Sequence, residues 1–422
     1  MGSRQNNYRS TVLFVLGAVV FALLVSGCAR HHVVEKPNYY RQLPPGVMGL
    51  EKLTDPSEYP DFALGYYNRD GLAEAIERSI DYLANHPSSE EFFPYLSISH
   101  EDAIRSLRAF HEIVTTAESA EILRSRIVSD FDVYRSVGAD ERHIVLFTGY
   151  CEPILDGSLT RTAQFKYPIY RLPPDLIKDK YGKCLGRRLA SGATVPYYYT
   201  RKEIDIDGVL AGKGLELFYL KDPLDVYIAQ VQGSAIIRLP DGTERRVGYA
   251  GKNGYPYTSV GRKLVQKKML AKHELSLQGI RNYFQANSAL LQECLNWNES
   301  YVFFRAAEDG PYGCINQKLT AYRSIATDKS IFPRACIAFA DTRVPAEGIG
   351  KSIIERPFKS FMLDQDTGGA IRTPGRADIF MGTGDNAELL AGRTYAEGHL
   401  YYIFLKPSLV QGTGAAFTTE IE

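Results

Sequence analysis

MLDQDTGGAIRTPGRADIFMG, residues Met362–Gly382, sets two carboxylates, Asp366 and Asp378, on either side of a turn-rich link. The link holds Gly368, Gly369, Pro374 and Gly375, and apolar residues (Ala370, Ile371, Ile379, Phe380) flank it. The pattern predicts two acids that leave short buried strands and face one cavity, because glycine turns let the backbone approach a ligand closely. Taken singly, Asp366 reads better as a turn cap and Asp378 as a surface residue opening a strand. Taken together they suit proton transfer. A carboxylate in an apolar setting beside another carboxylate has its proton affinity raised, as a general acid near neutral pH requires.

The N-terminus predicts export. Arg4 and Arg9 precede an apolar run, Val12–Val25, which ends in Leu24-Val25-Ser26-Gly27-Cys28. A basic start, a short apolar core and small residues at the break describe a secretory signal. The run falls short of the roughly 20 apolar residues of a comfortable membrane span. Leu-Val-Ser-Gly before Cys28 resembles a bacterial lipobox, in which the cysteine thiol is diacylated and becomes the first residue; a plain anchor helix is the other reading. Ala29 after the cysteine is similar to Gram-negative lipoproteins held at the periplasmic face of the outer membrane. More than one acyl chain gives a stable anchor.

The 422 residues, 45% hydrophobic and 23% charged, suffice for two substantial cores. Formal net charge is zero, so nothing in bulk electrostatics points to a nucleic-acid partner. With Cys28 assigned to lipid, Cys151, Cys184, Cys294, Cys314 and Cys336 remain. Their odd number and lack of CxxC spacing argue against a zinc site or a disulfide framework. Asp364-Gln365-Asp366 lacks His partners for a metal, so neither metal nor cofactor is expected.

Residues 30–60 are polar and proline-punctuated (Pro37, Pro44, Pro45, Pro56, Pro60), as a tether would be. Between Gly71 and Ser136 the pattern turns helical. Leu72, Ile76, Ile80 and Leu83 share a face, and Ser99 with Asp102 predicts a cap before Ala103–Val114. From His143 to Tyr257 short strands are expected, including IVLFTGY, LDVYIAQVQG and SAIIRLPDGTERRVGYAG, with Asp241-Gly242 as a hairpin turn. Thr258–Asn296 is again helical in period (Val260, Leu264, Met269; Leu277, Ile280, Phe284, Leu291). After Tyr301 the strands SYVFFR, RSIATD, ACIAFADT, ADIFMG and HLYYIFLKP run to the end. The whole predicts a mainly β protein whose core carries an insertion.

Six stretches together resemble the membrane-bound lytic murein transglycosylase A family over most of the chain. They are FTGYCEPILDGSLTRTAQFKYPIYRLP (147–173), DPLDVYIAQVQGSA (222–235), VGYAGKNGYPYTSVGR (247–262), SYVFFR (300–305), RSIATD (323–328) and DQDTGGAIRTPGRADIFMG (364–382). The last two are similar to a "three aspartate" domain, with Asp328, Asp366 and Asp378 in those places. The resemblance implies a double-psi β-barrel built before about 150 and after about 300, with a second β-domain inserted and a groove between them. The expected segments are a signal peptide at 1–27, a tether at 28–65 and a helical part at 66–150. An inserted domain at 151–298 and a barrel domain at 299–422 follow.

The family's chemistry would cut the bond between N-acetylmuramic acid and N-acetylglucosamine without water, leaving a 1,6-anhydro ring. A hydrolase needs a second carboxylate as nucleophile or base. Here the sugar's own 6-hydroxyl attacks, so one carboxyl can serve as acid and then as base. The resemblance places that role on Asp378, with Asp366 and Asp328 as near neighbours. Thr148, Gly149, Tyr150, Gln232, Gly233, Ser234, Asn253 and Tyr257 would line the groove and meet the glycan. Of the 28 tyrosines, most are expected in cores, though Tyr stacks well on sugar faces. Arg161 and Arg171 are candidates for peptide-stem carboxylates, and equally solvated cations. The implied partners are peptidoglycan glycan strands, the membrane through its lipid anchor, and proteins of wall synthesis or division.

The chain departs from the family pattern at Cys151, where an aromatic is usual, at Ala235, at Tyr322 and at Pro333-Arg334-Ala335. Two other classes compete. Asp366-Thr367-Gly368 matches the aspartic peptidase triplet, but its single copy would require a dimer. A non-catalytic, lipid-anchored wall-binding protein would grip glycan through the same groove, and the intact aspartate set argues against it.

Overall fold

The apolar runs near the C-terminus close into a barrel in the computed structural model, which describes residues 37–410; Cys28 and the signal segment lie outside the described residues. In chain order come β1 (Leu50–Lys52), β2 (Phe131–Ser136) and β3 (Val145–Glu152). Next are β4 (Ile154–Ser158), β5 (Tyr167–Tyr170), β6 (Leu176–Lys178), β7 (Cys184–Arg188), β8 (Thr194–Val195), β9 (Glu216–Leu220), β10 (Ser234–Arg238), β11 (Glu244–Lys252) and β12 (Val302–Ala307). Last are β13 (Ser324–Ala326), β14 (Ile337–Glu347), β15 (Ile353–Asp366), β16 (Arg376–Thr383) and β17 (Tyr395–Leu405).

The ring runs β17-β14-β15-β13-β16-β3 and closes because β3 pairs with β17 along Val145–Thr148. Closure leaves those six strands without an exposed edge. β2 and then β1 extend the sheet from the far end of β17. Phe147, Ile325, Phe339, Phe361, Ile379 and Tyr402 belong to one core with residues of two N-terminal helices, Leu72–Asn85 and His100–Thr116. The predicted cap is present: Asp102 N–H donates to Ser99 Oγ, and Ser99 N–H to Asp102 Oδ2, each at 3.1 Å.

β4 to β12 contribute nothing to the ring. They form a six-stranded sheet in the order β12-β11-β10-β4-β9-β5, with its own core around Leu155, Phe218, Ile237 and Val247, and a small sheet β6-β7-β8. The β10–β11 hairpin turns at Asp241-Gly242 as expected, with Gly242 at φ +83°. The mainly β fold with an inserted second sheet is therefore as the sequence implied. Cys151, Cys184, Cys294, Cys314 and Cys336 are free thiols.

Some local expectations fail. LDVYIAQVQG is not a strand: Pro223–Gln232 is a helix. Asp222 caps it by accepting the Leu224 N–H at 2.7 Å, Pro223 occupies its first turn, and Gly233 ends it in the left-handed conformation. Leu224, Val226, Tyr227, Ile228 and Ala229 are all buried, so the run has no polar face to reveal a helical period. The Asp385–Arg393 helix, within a region read as strands, was hidden for the opposite reason. It is short, and Gly384 supplies no side-chain cap.

Candidate active site

Strand register brings the two acids together. Short β13 lies between β15 and β16, and Ala326 is in register with Asp366 on one side and Asp378 on the other. β3 lies beyond β16, with Thr148 opposite Asp378, and β17 follows with Tyr395 opposite Thr148. Residues in register project from the same face of a sheet, so Asp366, Ala326, Asp378 and Thr148 form one row.

The two carboxylates have different surroundings. Asp366 has both oxygens engaged: Oδ1 accepts from the Thr367 and Cys314 backbone N–H groups at 2.8 and 3.0 Å, and Oδ2 from the Tyr150 hydroxyl at 2.7 Å. Asp378 is not. Its Oδ1 accepts from the Thr148 hydroxyl, while Oδ2 has no hydrogen-bond partner among the described residues. Burial raises the proton affinity of both. The Asp366 pKa rises to about 6, with burial the largest cause, opposed by the Tyr150 hydroxyl, two N–H donors and the Lys329 charge. Asp378 is raised by burial, opposed by the Arg376 charge and the Thr148 hydroxyl. Of the two causes the sequence offered, the apolar setting and the neighbouring carboxylate, burial is the leading one for both acids.

The other anticipated residues divide. Thr148 and Tyr150 touch the acids directly. A methyl group at Gly369 would stand 3.2 Å from Tyr257 Cβ, so this tyrosine of the insertion lies against the loop joining the acids. The Gln232 side-chain oxygen accepts the Cys151 N–H at 3.2 Å, next to Tyr150.

The rest are committed elsewhere. Asn253 is fully buried: its amide donates to the Tyr199 and Glu299 carbonyls at 2.9 and 2.7 Å, and its oxygen accepts the Tyr301 N–H at 2.9 Å. With both amide hydrogens given to backbone carbonyls and no exposed surface, Asn253 holds the insertion together rather than facing a glycan. Ser234 is buried against Glu152, and Gly233 is a helix terminator. Gly149 faces away from the acids, where a Cβ would stand 2.9 Å from Ala391 Cα on the Asp385–Arg393 helix. Cys151 likewise packs into the main core, so it forms no groove wall. Asp328 Oδ1 accepts from Ser330 Oγ and N at 2.6 and 3.1 Å, and its side chain lines a separate cavity of about 210 Å³ with Arg372. It does not join the pair.

Several participants were not foreseen. Arg376 is buried and donates to Thr148 Oγ1 at 2.9 Å; its position two residues before Asp378 on a strand was the available signal. Lys329 pairs with fully buried Asp364, which also accepts from Thr327 Oγ1 and Tyr402 OH at 2.7 and 2.8 Å. This pair places a cation near Asp366. Among the described residues no group of three or more His, Cys, Asp or Glu side chains is arranged to hold a metal. A cavity of about 760 Å³ lies between the Leu277–Ala286 and Asp385–Arg393 helices, but neither Asp366 nor Asp378 lines it. Chemistry, not size, locates the site.

Known proteins share this fold. Residues 146–305 match the MltA specific insert domain and residues 323–404 the 3D domain. Membrane-bound lytic murein transglycosylase A of Vibrio cholerae is 32% identical over 282 residues, covering 66% of this chain and 70% of the relative. The Escherichia coli K12 protein of that name is 32% identical over 290 residues, covering 68% and 72%. A crystal structure of a membrane-bound lytic murein transglycosylase from Agrobacterium tumefaciens superposes with a TM-score of 0.70 at 26% identity, over 86% of this chain and 99% of that one. The E. coli MltA structure with bound chitohexaose gives 0.63 at 25% identity, over 87% and 98%. With one third of positions shared over more than two thirds of those relatives, and the ring and insertion in common, the chain belongs to the membrane-bound lytic murein transglycosylase A family.

Proposed function

We propose that this protein is a lytic transglycosylase of peptidoglycan, cleaving the bond between N-acetylmuramic acid and N-acetylglucosamine with Asp378 as the single acid–base group. The observation that carries the reading is the contrast between the two acids. Asp366 has both oxygens engaged, whereas Asp378 keeps Oδ2 free and is held toward its protonated form by burial.

The protonated Asp378 gives its hydrogen to the leaving glycosidic oxygen as the bond to the anomeric carbon breaks. The resulting carboxylate then takes the hydrogen of the muramic 6-hydroxyl as that oxygen bonds to the same carbon. Proton transfer by a placed group contributes about 10²–10⁴-fold. Tethering the attacking hydroxyl within the same sugar replaces a second carboxylate, and a held neighbour is worth up to about 7–11 kcal/mol. Asp366, fixed by Tyr150 and two N–H groups, would supply negative charge near the oxocarbenium-like ring. The glycan would run between the row of acids and the insertion, past Tyr257 and Gln232. The chitohexaose bound by the E. coli relative supports a glycan ligand.

Acylation of Cys28 would hold the enzyme at the periplasmic face of the outer membrane. The relatives are named membrane-bound, and among the described residues no helix is long and apolar enough to cross a bilayer. Mass spectrometry of products from digested sacculi tests the reaction. Anhydro-muramic ends, one water lighter than reducing ends, are expected; reducing ends carrying labelled solvent oxygen would sink it.

A further inference from the structure

Asp378 is the end of a chain of contacts that begins in the segment leading into the fold. Arg376 and Asp378 share a face of β16, and the Arg376 fork spans two partners: Nη2 donates to Thr148 Oγ1 and Nη1 to the Tyr40 hydroxyl, both at 2.9 Å. A threonine hydroxyl has one hydrogen and two lone pairs. With Arg376 donating to a lone pair, the Thr148 hydrogen is directed at Asp378 Oδ1.

Tyr40 is itself held. Its ring centre lies 5.4 Å from the Arg376 guanidinium and 4.5 Å from that of Arg262, on the Val260–Gln266 helix of the insertion. Next to it, the Tyr39 carbonyl accepts from Thr373 Oγ1 at 2.5 Å, the Tyr39 hydroxyl donates to Glu397, and Arg41 donates to the Gly138 carbonyl at 3.0 Å. Residues 39–41 thus bridge the loop before Asp378, β17 and the insertion. Arg376 Nε is buried with no hydrogen-bond partner among the described residues, so the two forked hydrogen bonds orient the guanidinium.

We propose that Tyr40 and Arg376 are positioning residues for Asp378, so that residues 39–41 set how the acid is held. The proposal rests on the reading of Asp378 as the acid–base group. The charged and titratable groups facing this chain are Asp366 on β15, Tyr150 on β3, Tyr395 and Glu397 on β17, Arg262 on the insertion and Arg376 itself. Of these, Arg376 is the one that opposes protonation of Asp378 by its charge. Through Arg262, the insertion that flanks the glycan would feel the same segment.

The test uses the full chain, with steady-state turnover of purified glycan strands at a series of pH values and thermal melts of each variant. Tyr40→Phe keeps the ring but loses the acceptor, and should lower kcat about tenfold with KM unchanged. Arg376→Lys keeps the charge but loses the fork; kcat should fall similarly while the alkaline limb stays in place. Arg376→Gln loses the charge as well, and the alkaline limb should move to higher pH, because Asp378 then keeps its hydrogen longer. If Arg376→Gln melts at the assay temperature, the other two variants decide. Wild-type kcat in both Tyr40→Phe and Arg376→Lys would overturn the proposal, even with a lowered melting temperature. Failure of the wild type itself to form anhydro ends would instead refute the reading of Asp378.

Discussion

Arg246 on β11 grips Glu152 at the end of β3 with two parallel hydrogen bonds, from Nε at 2.9 Å and from Nη2 at 3.0 Å. Glu152 is fully buried and also accepts from Thr383 Oγ1 on β16 at 3.1 Å. One carboxylate therefore ties the second sheet to the strand that carries Thr148 and to the strand that carries Asp378. Burial raises its proton affinity and Arg246 pulls it back down.

Removing Arg246 leaves that carboxylate buried without its cation. Arg246→Ala should cost about 3–5 kcal/mol, read as a lower denaturation midpoint in chemical unfolding. Glu152→Gln with Arg246→Met, which removes both charges, should lose less than Arg246→Ala alone. A double variant as unstable as the single one would refute the pairing account.

Asp378→Asn removes the member of the acid pair whose second oxygen is free. Glycan turnover should drop by about 10²–10⁴-fold, while the thermal melt and the affinity for a chitin oligosaccharide stay near wild type. Retained turnover would move the acid role to another residue.

The Tyr150 hydroxyl favours the ionised form of Asp366, whose pKa is raised to about 6. As pH falls through that value, Asp366 gains a hydrogen and its negative charge is lost, so kcat/KM should fall on the acid side. Tyr150→Phe removes a donor to the carboxylate, raises its proton affinity and should shift that limb to higher pH. Asp366→Asn should erase the limb. A limb that stays in place in both variants would show that the ionisation of Asp366 does not govern the rate.

Gly149 separates packing from ligand contact. A Cβ there meets the Ala391 backbone at 2.9 Å, which cannot yield as a flexible side chain would. Gly149→Ala should destabilise by about 1–3 kcal/mol with KM for glycan unchanged at a temperature where the variant is folded. A rise in KM without loss of stability would put Gly149 in the binding surface after all.

Much of this protein was already written in its residue order. Local chemistry is legible because it depends on near neighbours. The Ser99–Asp102 cap, the Asp241-Gly242 turn and the amphipathic Leu72–Asn85 helix all use contacts within a few positions. The Asp366-to-Asp378 link was legible for the same reason, with its glycines and flanking apolar strands. Where burial surrounds an element, as at Pro223–Gln232, periodicity vanishes and the backbone signals at Asp222, Pro223 and Gly233 carry the assignment instead.

What residue order could not decide was which polar side chains remain free after folding. Asn253 and Asp378 look alike as candidates, yet the first has its side-chain groups bonded to backbone while the second keeps an oxygen unpaired. That difference comes from long-range register: Ala326 between Asp366 and Asp378, Thr148 opposite Asp378, and Tyr40 reaching Arg376 from far along the chain. Hydrogen-bond saturation and burial belong to the closed barrel and its insertion. They arise only when strands distant in sequence become neighbours.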